Sequence, residues 1–317
     1  MSDIQIVHIN SGLDTVASLP TCLALGNFDG VHIGHQKLIR EAKKLAERNN
    51  LTCSLMTFTP HPRTIIAKYA DYHNLITPWE IKKEILSELG VDIVYLVEFT
   101  KEFSEVSPLD FITQFIQKVN AQTVVIGEDY RFGCRGQGNY QTLVDYGQVY
   151  DFQVVAVSPV IYKTDKVSSS IIRQMLAEGS MEEVNFLLGH PHQLRGEVVH
   201  GEKRGRLLGF PTANLRLTAE YVVPKRGVYA VEVTLNRSGN DKIMGLMNIG
   251  CKPTFHGNQI EHTIEVYLLD FHSDIYGAVL HVDIMRFIRE EIRFADMDAL
   301  RRQITSDVHN VRLALQT

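Results

Sequence analysis

Cysteine is scarce. Cys22, Cys53, Cys134 and Cys251 are scattered along 317 residues with no paired spacing, which excludes a disulfide framework and a thiolate zinc site. No apolar stretch approaches the ~18 residues of a membrane span. Met1 to Ser11 lacks the basic flank and apolar run of a secretory signal. The formal net charge is only −5, so the chain as a whole carries no electrostatic footprint of nucleic-acid binding. Internal repeats and low-complexity tracts are missing, as are the Gly-x-Gly-x-x-Gly dinucleotide fingerprint and the Walker lysine pattern. These absences lead us to expect a cytoplasmic protein with neither a membrane nor a nucleic acid as partner. They specify no oligomeric state.

What is present is ordinary globular material, 44% hydrophobic and 22% charged. At roughly 100–200 residues per domain, this length makes two domains the default. In the first half, apolar runs at Cys22–Gly26, Thr52–Phe58, Asp92–Glu98, Thr123–Gly127 and Phe152–Val157 alternate with amphipathic segments. Gly34–Arg48 places Leu38, Ile39, Ala42, Leu45 and Ala46 on one helical face. Thr77-Pro78 with Glu80, and Ser107-Pro108 with Asp110, spell a helix start: hydroxyl N-cap, proline at N1, acid at N3. Strands alternating with helices predict an α/β unit whose parallel sheet is covered on both faces.

Past residue 190 the period shortens to two. His262–Phe271 turns Ile264, Val266 and Leu268 one way and Glu265, Tyr267 and Leu269 the other. Gly227–Leu235, Lys242–Ile249 and Ala278–Phe287 also read as strands. The glycine-bearing segments between them predict a small antiparallel barrel. Leu300, Ile304, Val308, Val311 and Leu315 then recur at helical spacing, predicting a terminal helix packed on that barrel. Ser180 with Glu183 reads as a capping box, Gly189 as a helix stop, and His190-Pro191 as a break. The expected domains are therefore 1–188 and 189–317.

One candidate site is Gly26-Asn27-Phe28-Asp29-Gly30-Val31-His32-Ile33-Gly34-His35. It follows the first apolar run and opens the first helix. A helix N-terminus offers free N–H groups and a positive dipole end, both suited to phosphate. The glycines allow close backbone approach. Two histidines three apart there both reach one set of phosphate oxygens. The chemistry this suits is attack on an α-phosphorus with loss of pyrophosphate, carried by positioning and charge stabilisation.

This stretch resembles the His-x-Gly-His signature of the nucleotidyltransferase superfamily. In its extended form it resembles the FMN adenylyltransferase domain of bacterial bifunctional riboflavin kinase/FAD synthetases. The resemblance implies a Rossmann-like domain in which Gly26, Asn27, Phe28, Asp29, Gly30 and Gly34 bind ATP while His32 and His35 stabilise the transferring phosphate. Gly127-Glu128-Asp129-Tyr130-Arg131-Phe132-Gly133 resembles a second segment of that family and implies that Asp129 lies at the nucleotide; Tyr130 replaces the usual Phe. Ser168-Ser169-Ser170-Ile171-Ile172-Arg173 resembles a third, in which Ser168, Ser169 and Arg173 bind ATP phosphates; Ser170 replaces a Thr. Phe58 and Pro60, in Phe58-Thr59-Pro60-His61-Pro62, match an element near the family's flavin site. A structural turn fits those residues equally well.

The other candidate site is Gly196–Asn214, dense in glycine and basic residues. Gly201, Gly205 and Gly209 let backbone wrap a phosphate chain. Lys203, Arg204 and Arg206 balance its charge, though they equally make a solvated hairpin tip. Thr212 and Asn214, two apart, face one hard cation together, which favours Mg²⁺. The Gly-Phe-Pro-Thr-Ala-Asn core, Gly209 to Asn214, resembles the riboflavin kinase motif. That resemblance implies ATP at Gly201, Lys203, Gly205, Arg206 and Pro211, and Mg²⁺ at Thr212 and Asn214. Taken alone, Glu265 is a mid-strand carboxylate on a solvated face. Ile264-Glu265-Val266-Tyr267-Leu268-Leu269-Asp270 resembles the family segment whose Glu is the proposed base for the ribityl hydroxyl. Gly227-Val228-Tyr229, Asn248-Ile249-Gly250 and Pro253-Thr254-Phe255 match further; Lys252 stands where Arg is usual. Arg289 is either a flavin contact or a salt-bridge residue.

The expectation is thus a bifunctional enzyme: riboflavin and ATP to FMN and ADP, then FMN and ATP to FAD and pyrophosphate. Two alternatives stay open. One is an adenylyltransferase for another phosphorylated metabolite, which would not need the second half. The other is a silent flavin-binding sensor, which would not need the histidines, Thr212, Asn214 or Glu265.

Overall fold

Buried backbone needs hydrogen-bond partners, and two different sheets supply them. The structure, a computed structural model, describes residues 4–10, 17, 19–66, 73–201, 205, 209–235, 242–253 and 260–315. It divides into two compact units, Met1–Ser168 and Ser169–Thr317.

The first unit contains β1 (Gln5–Ile9), β2 (Thr21–Leu25), β3 (Thr52–Thr59), β4 (Ile93–Glu98), β5 (Ala121–Gly127) and β6 (Gln153–Val157). Between them run α1 (Ile33–Asn49), α2 (Pro62–Ile66), α3 (Trp79–Glu88), α4 (Lys101–Ser104), α5 (Pro108–Phe111) and α6 (Tyr140–Tyr150). The strands form one parallel sheet in the order β1-β4-β3-β2-β5-β6. Every residue of β2 is buried because both faces are covered. Leu23 and Leu25 join Met56, Tyr95, Phe111 and Phe115 on one face. Cys22 and Ala24 join Ile39, Ala42 and Leu55 on the other. The edge strand β1 is an addition to the five apolar runs. A short two-stranded hairpin, β7 (Ile161–Tyr162) and β8 (Asp165–Lys166), ends the unit.

From β2 the chain crosses to β3 on one side, and from its sheet neighbour β5 it crosses to β6 on the other. That is a topological switch point, the place where α/β sheets bind ligands beyond the carboxyl ends of their strands. Gly26–Gly30 follows β2, and Glu128–Gly133 follows β5.

The second unit begins with α7 (Ser169–Glu178) and α8 (Met181–Leu188). The strands β9 (His192–Val199), β10 (Thr212–Leu217), β11 (Gly227–Leu235), β12 (Ile243–Pro253), β13 (Ile260–Leu268) and β14 (Val279–Arg289) close an antiparallel barrel. α9 (Met297–Leu315) lays Ile304, Val308 and Val311 against Val228, Ala230 and Leu246. In β13, Ile264, Val266 and Leu268 are buried while Glu265 and Tyr267 are half-exposed.

Two helix starts differ from expectation. Ser180 precedes α8, but its side chain makes no capping bond and the box does not form; its ψ of 62° departs from the usual cap backbone. Pro78, with no capping side chain, is the N-cap of α3. Thr77 is instead buried, and its amide donates to Asp29. Ser107 does cap α5, accepting from the Asp110 amide at 3.1 Å with Pro108 in the first turn. Gly189 ends α8 with φ 72°.

α7 and α8 belong to the barrel's unit for a visible reason: in α7, the Leu176 carbonyl accepts from the Lys225 amide at 2.9 Å. Asn185 donates to the Ile284 carbonyl at 2.8 Å and accepts from the His192 amide at 2.9 Å. Glu182 pairs with Arg286 at 2.6 Å.

Candidate active sites

His32 is the N-cap of α1. Its Nδ1 accepts from the His35 amide at 3.2 Å, so its ring proton lies on Nε2. The two imidazoles stack, with centroids 3.6 Å apart and planes 15° from parallel. Gly34 makes this possible, since a Cβ there would lie 3.2 Å from two atoms of the His32 ring. Phe28 meets the edge of His35, its centroid 5.2 Å away. The His35 Nδ1 is buried without a hydrogen-bond partner among the described residues. Burial lowers the His32 pKa to about 4, against the opposing pull of Asp29. Burial also pushes His35 well below its ordinary value, helped by His32, Lys82 and Lys166. Both rings are therefore neutral at pH 7, and His32 offers a donor N–H rather than a charge.

Asp29 is buried, and its carboxylate faces inward. Its Oδ1 accepts from the Ile76 amide at 3.0 Å and the Thr77 amide at 3.3 Å. Phe28 (φ 50°) and Val31 (φ 39°) adopt the left-handed region, which is rare for such side chains. Asp129, after β5, is exposed and paired with Lys166 of β8. Sequence reasoning missed Lys166, although it lies two residues before Ser168. It also missed Lys82, a charge on the apolar face of α3 beside Ile81 and Leu86. Phe58 is half-buried against Phe99 and Phe103, at centroid distances of 5.9 and 5.5 Å, and Pro60 follows a cis peptide. Ser168 ends the first unit; Ser169 and Arg173 lie at the start of α7 in the second.

In the barrel, pairing assembles a polar row. Glu265 of β13 is opposite Asn214 of β10 and Asn248 of β12, so the three side chains share one face. Thr212 Oγ1 donates to Glu265 Oε2 at 3.1 Å. Gly201 lies against Asn214, where an added Cβ would come within 2.2 Å of the amide nitrogen. The Gly205 carbonyl accepts from the Phe210 amide at 2.9 Å. Lys203, Arg204, Arg206 and Thr254 lie outside the described residues. Thr212 and Pro211 line a cavity of about 280 Å³ with Val198, Val266, Ile275 and Tyr276. The donors of the row are hydroxyl, amide and carboxylate oxygens, a hard set that fits Mg²⁺ sharing its shell with phosphate and water. Among the described residues, no cluster of His, Cys, Asp and Glu suits a softer metal.

Arg289 is already engaged. Its guanidinium grips the buried Asp307 of α9, with Nε 3.0 Å from both carboxylate oxygens and Nη2 2.7 Å from Oδ2. Of its two sequence readings, the salt bridge is the one observed.

A switch-point loop with neutral imidazoles at a helix N-terminus, and a barrel row of oxygen donors around one carboxylate, give the chain two sites of the kind that handle phosphate groups. Comparison with known proteins narrows the class. Residues 15–171 match the FAD synthetase family and residues 188–315 the riboflavin kinase family. Bifunctional riboflavin kinase/FMN adenylyltransferases are similar along nearly their whole length. The Listeria monocytogenes protein is 41% identical, over 92% of this chain and 91% of its own. The Bacillus subtilis protein is 41% identical, over 97% and 96%. The Escherichia coli K12 protein is 37% identical, over 90% and 90%. A crystal structure of a Streptococcus pneumoniae protein described as a macrolide-efflux protein superposes with TM-score 0.91 at 34% identity, covering 98% of this chain and 99% of that one. The chain belongs to the bacterial bifunctional riboflavin kinase/FMN adenylyltransferase family, an enzyme family that uses Mg-ATP to build flavin cofactors. Among the described residues, no helix is long and apolar enough to cross a membrane.

Proposed function

We propose that the family's two activities are divided along this chain after Leu188, each carried by one of the two sites. The chain phosphorylates riboflavin to FMN with ATP, and adenylylates FMN to FAD with a second ATP.

In the kinase step, Glu265 accepts the proton of the ribityl 5′-hydroxyl as that oxygen attacks the γ-phosphorus, and ADP leaves. Thr212 holds one Glu265 oxygen and so orients the carboxylate. Asn214 and Asn248 flank it. Mg²⁺, bound with ATP at Thr212 and Asn214, would supply charge neutralisation for the phosphates. Gly201, Lys203, Gly205, Arg206 and Pro211 bind that nucleotide, and the cavity beside Thr212 receives it. Arg289 acts on the flavin side by anchoring α9.

In the adenylylation step, an FMN phosphate oxygen attacks the α-phosphorus and pyrophosphate leaves. The nucleophile has no hydroxyl proton to lose, so no general base is needed. The backbone of Gly26–Gly30 and Gly34 approaches the ATP phosphates. His32 donates from Nε2, and His35 lies against it. Asp129 and Ser168 complete the first unit's ATP contacts, while Phe58 and Pro60 border the flavin. Asp29 serves this site from inside the turn, by holding Ile76 and Thr77.

The proposed location is cytoplasmic, where ATP is abundant and four unpaired thiols stay reduced. The observation that carries the two-site reading is the Thr212–Glu265–Asn214 constellation standing in a different unit from the His32–His35 stack. The test is a time course with riboflavin, ATP and Mg²⁺, resolved by chromatography. FMN should rise first and FAD follow. Glu265→Gln should stop FMN formation and still convert supplied FMN to FAD. Loss of both conversions in that folded variant would refute independent sites.

A further inference from the structure

The first unit buries a cation that none of the sequence motifs contains. Lys82 is 6% exposed, on the face of α3 that also buries Ile81 and Leu86. A buried ammonium is costly unless it is paired and hydrogen-bonded. The Gly26–Gly30 turn supplies a hydrogen-bond acceptor and a nearby negative charge. The Lys82 Nζ is 3.5 Å from the Asn27 carbonyl oxygen. The buried Asp29 carboxylate draws its pKa upward, against the larger lowering by burial.

The Asn27 carbonyl is held twice. The Thr57 hydroxyl of β3, itself buried, donates to it at 2.9 Å. α3 and β3 thus grip a single peptide from inside the unit. That peptide is trans, so its N–H, belonging to Phe28, points away from Lys82 and Thr57. Phe28 follows in the left-handed region at φ 50°, a conformation that persists only where surroundings over-determine it. The charge of Lys82 also reaches His35, whose ring it helps keep neutral.

We propose that Lys82 is a positioning residue for adenylyl transfer: its buried ammonium holds the Asn27 carbonyl and so aims the amides of the Gly26–Gly30 turn at the nucleotide phosphates. This rests on the assignment of that turn as the ATP site of the first unit. Lys82 touches no substrate; it acts through the turn.

The test uses the full chain. For Lys82→Met and Lys82→Arg, kcat and KM for ATP are measured in FMN adenylylation, and riboflavin phosphorylation in the same preparation serves as a control. Lys82→Met should lower adenylylation kcat/KM for ATP roughly 10- to 100-fold, chiefly through KM. Riboflavin phosphorylation should stay within about twofold, because that site is in the other unit. Lys82→Arg, which keeps the charge, should recover part of the loss. Should Lys82→Met fail to fold, Asp29→Asn with Lys82→Met removes both buried charges while keeping an oxygen for the Ile76 and Thr77 amides. The adenylylation defect should persist in that double variant; its full recovery would mean Lys82 merely neutralises Asp29, and would overturn the proposal. His35→Ala separates the two levels. Wild-type adenylylation by Lys82→Met beside an inactive His35→Ala overturns the role of Lys82 alone. Wild-type adenylylation by His35→Ala overturns the site assignment and the proposal with it.

Discussion

Acid is expected to unfold the first unit partly through His32. The ring is 5% exposed and holds its N-cap position by accepting on Nδ1, which it does only when neutral. Its folded pKa is about 4, against an ordinary 6.5. A lowered histidine pKa means the unfolded chain binds more protons, so stability is full above pH 6.5 and is lost as pH falls toward 4. At about 1.4 kcal/mol per unit the whole gap is worth about 3 kcal/mol, of which about 2 develops between pH 7 and pH 4.5. Trp79, the single tryptophan, lies on α3 in this unit and reports its unfolding by fluorescence. Urea titrations at the two pH values would compare wild type with His32→Asn, which keeps a capping oxygen and does not titrate. The variant should retain about 2 kcal/mol more of its pH 7 stability at pH 4.5. Equal losses in the two proteins would refute the reasoning.

Three further outcomes follow from the geometry. Gly34→Ala places a methyl 3.2 Å from the His32 ring; it should slow FAD formation from FMN at least tenfold and cost about 1 kcal/mol through the disturbed cap, read by the same fluorescence assay. Gly201→Ala drives a Cβ to 2.2 Å from the Asn214 amide nitrogen; it should reduce riboflavin phosphorylation at least tenfold and leave adenylylation unchanged in a coupled pyrophosphate assay. Asp307→Asn leaves Arg289 without its buried counter-charge; it should destabilise the second unit by about 3 kcal/mol and lower its melting temperature in calorimetry.

Much of this protein was legible because local chemistry dictated it. The strands β2 to β6 follow from apolar runs of strand length, and α1 and α9 from their helical periodicity. The alternation in β13 put Ile264, Val266 and Leu268 inside and Glu265 outside, as period two requires. The His32–His35 segment announced a phosphate-binding helix start, and Gly209–Asn214 with Glu265 carried the family resemblance.

Other features had no local cause. Ser180 and Glu183 have the spacing of a capping box, yet the Ser180 side chain makes no cap bond. Thr77 is followed by the proline and acid of a helix start, but Asp29, 48 positions away, takes its amide and Pro78 becomes the N-cap. Arg289 carries no mark that Asp307 will claim it. Lys82 and Lys166 look like surface lysines until α3 and β8 bring them beneath or beside the first site. Asn248 becomes part of the kinase row only through the β12–β13 register. The sequence by itself determined which segments are helix or strand, which face of each is apolar, and the two phosphate-handling motifs, because those depend on neighbours a few residues apart. Tertiary structure alone decided which charges are buried, which histidine nitrogen holds the proton, and which side chain meets Glu265, because burial and pairing between distant segments exist only after the chain has folded.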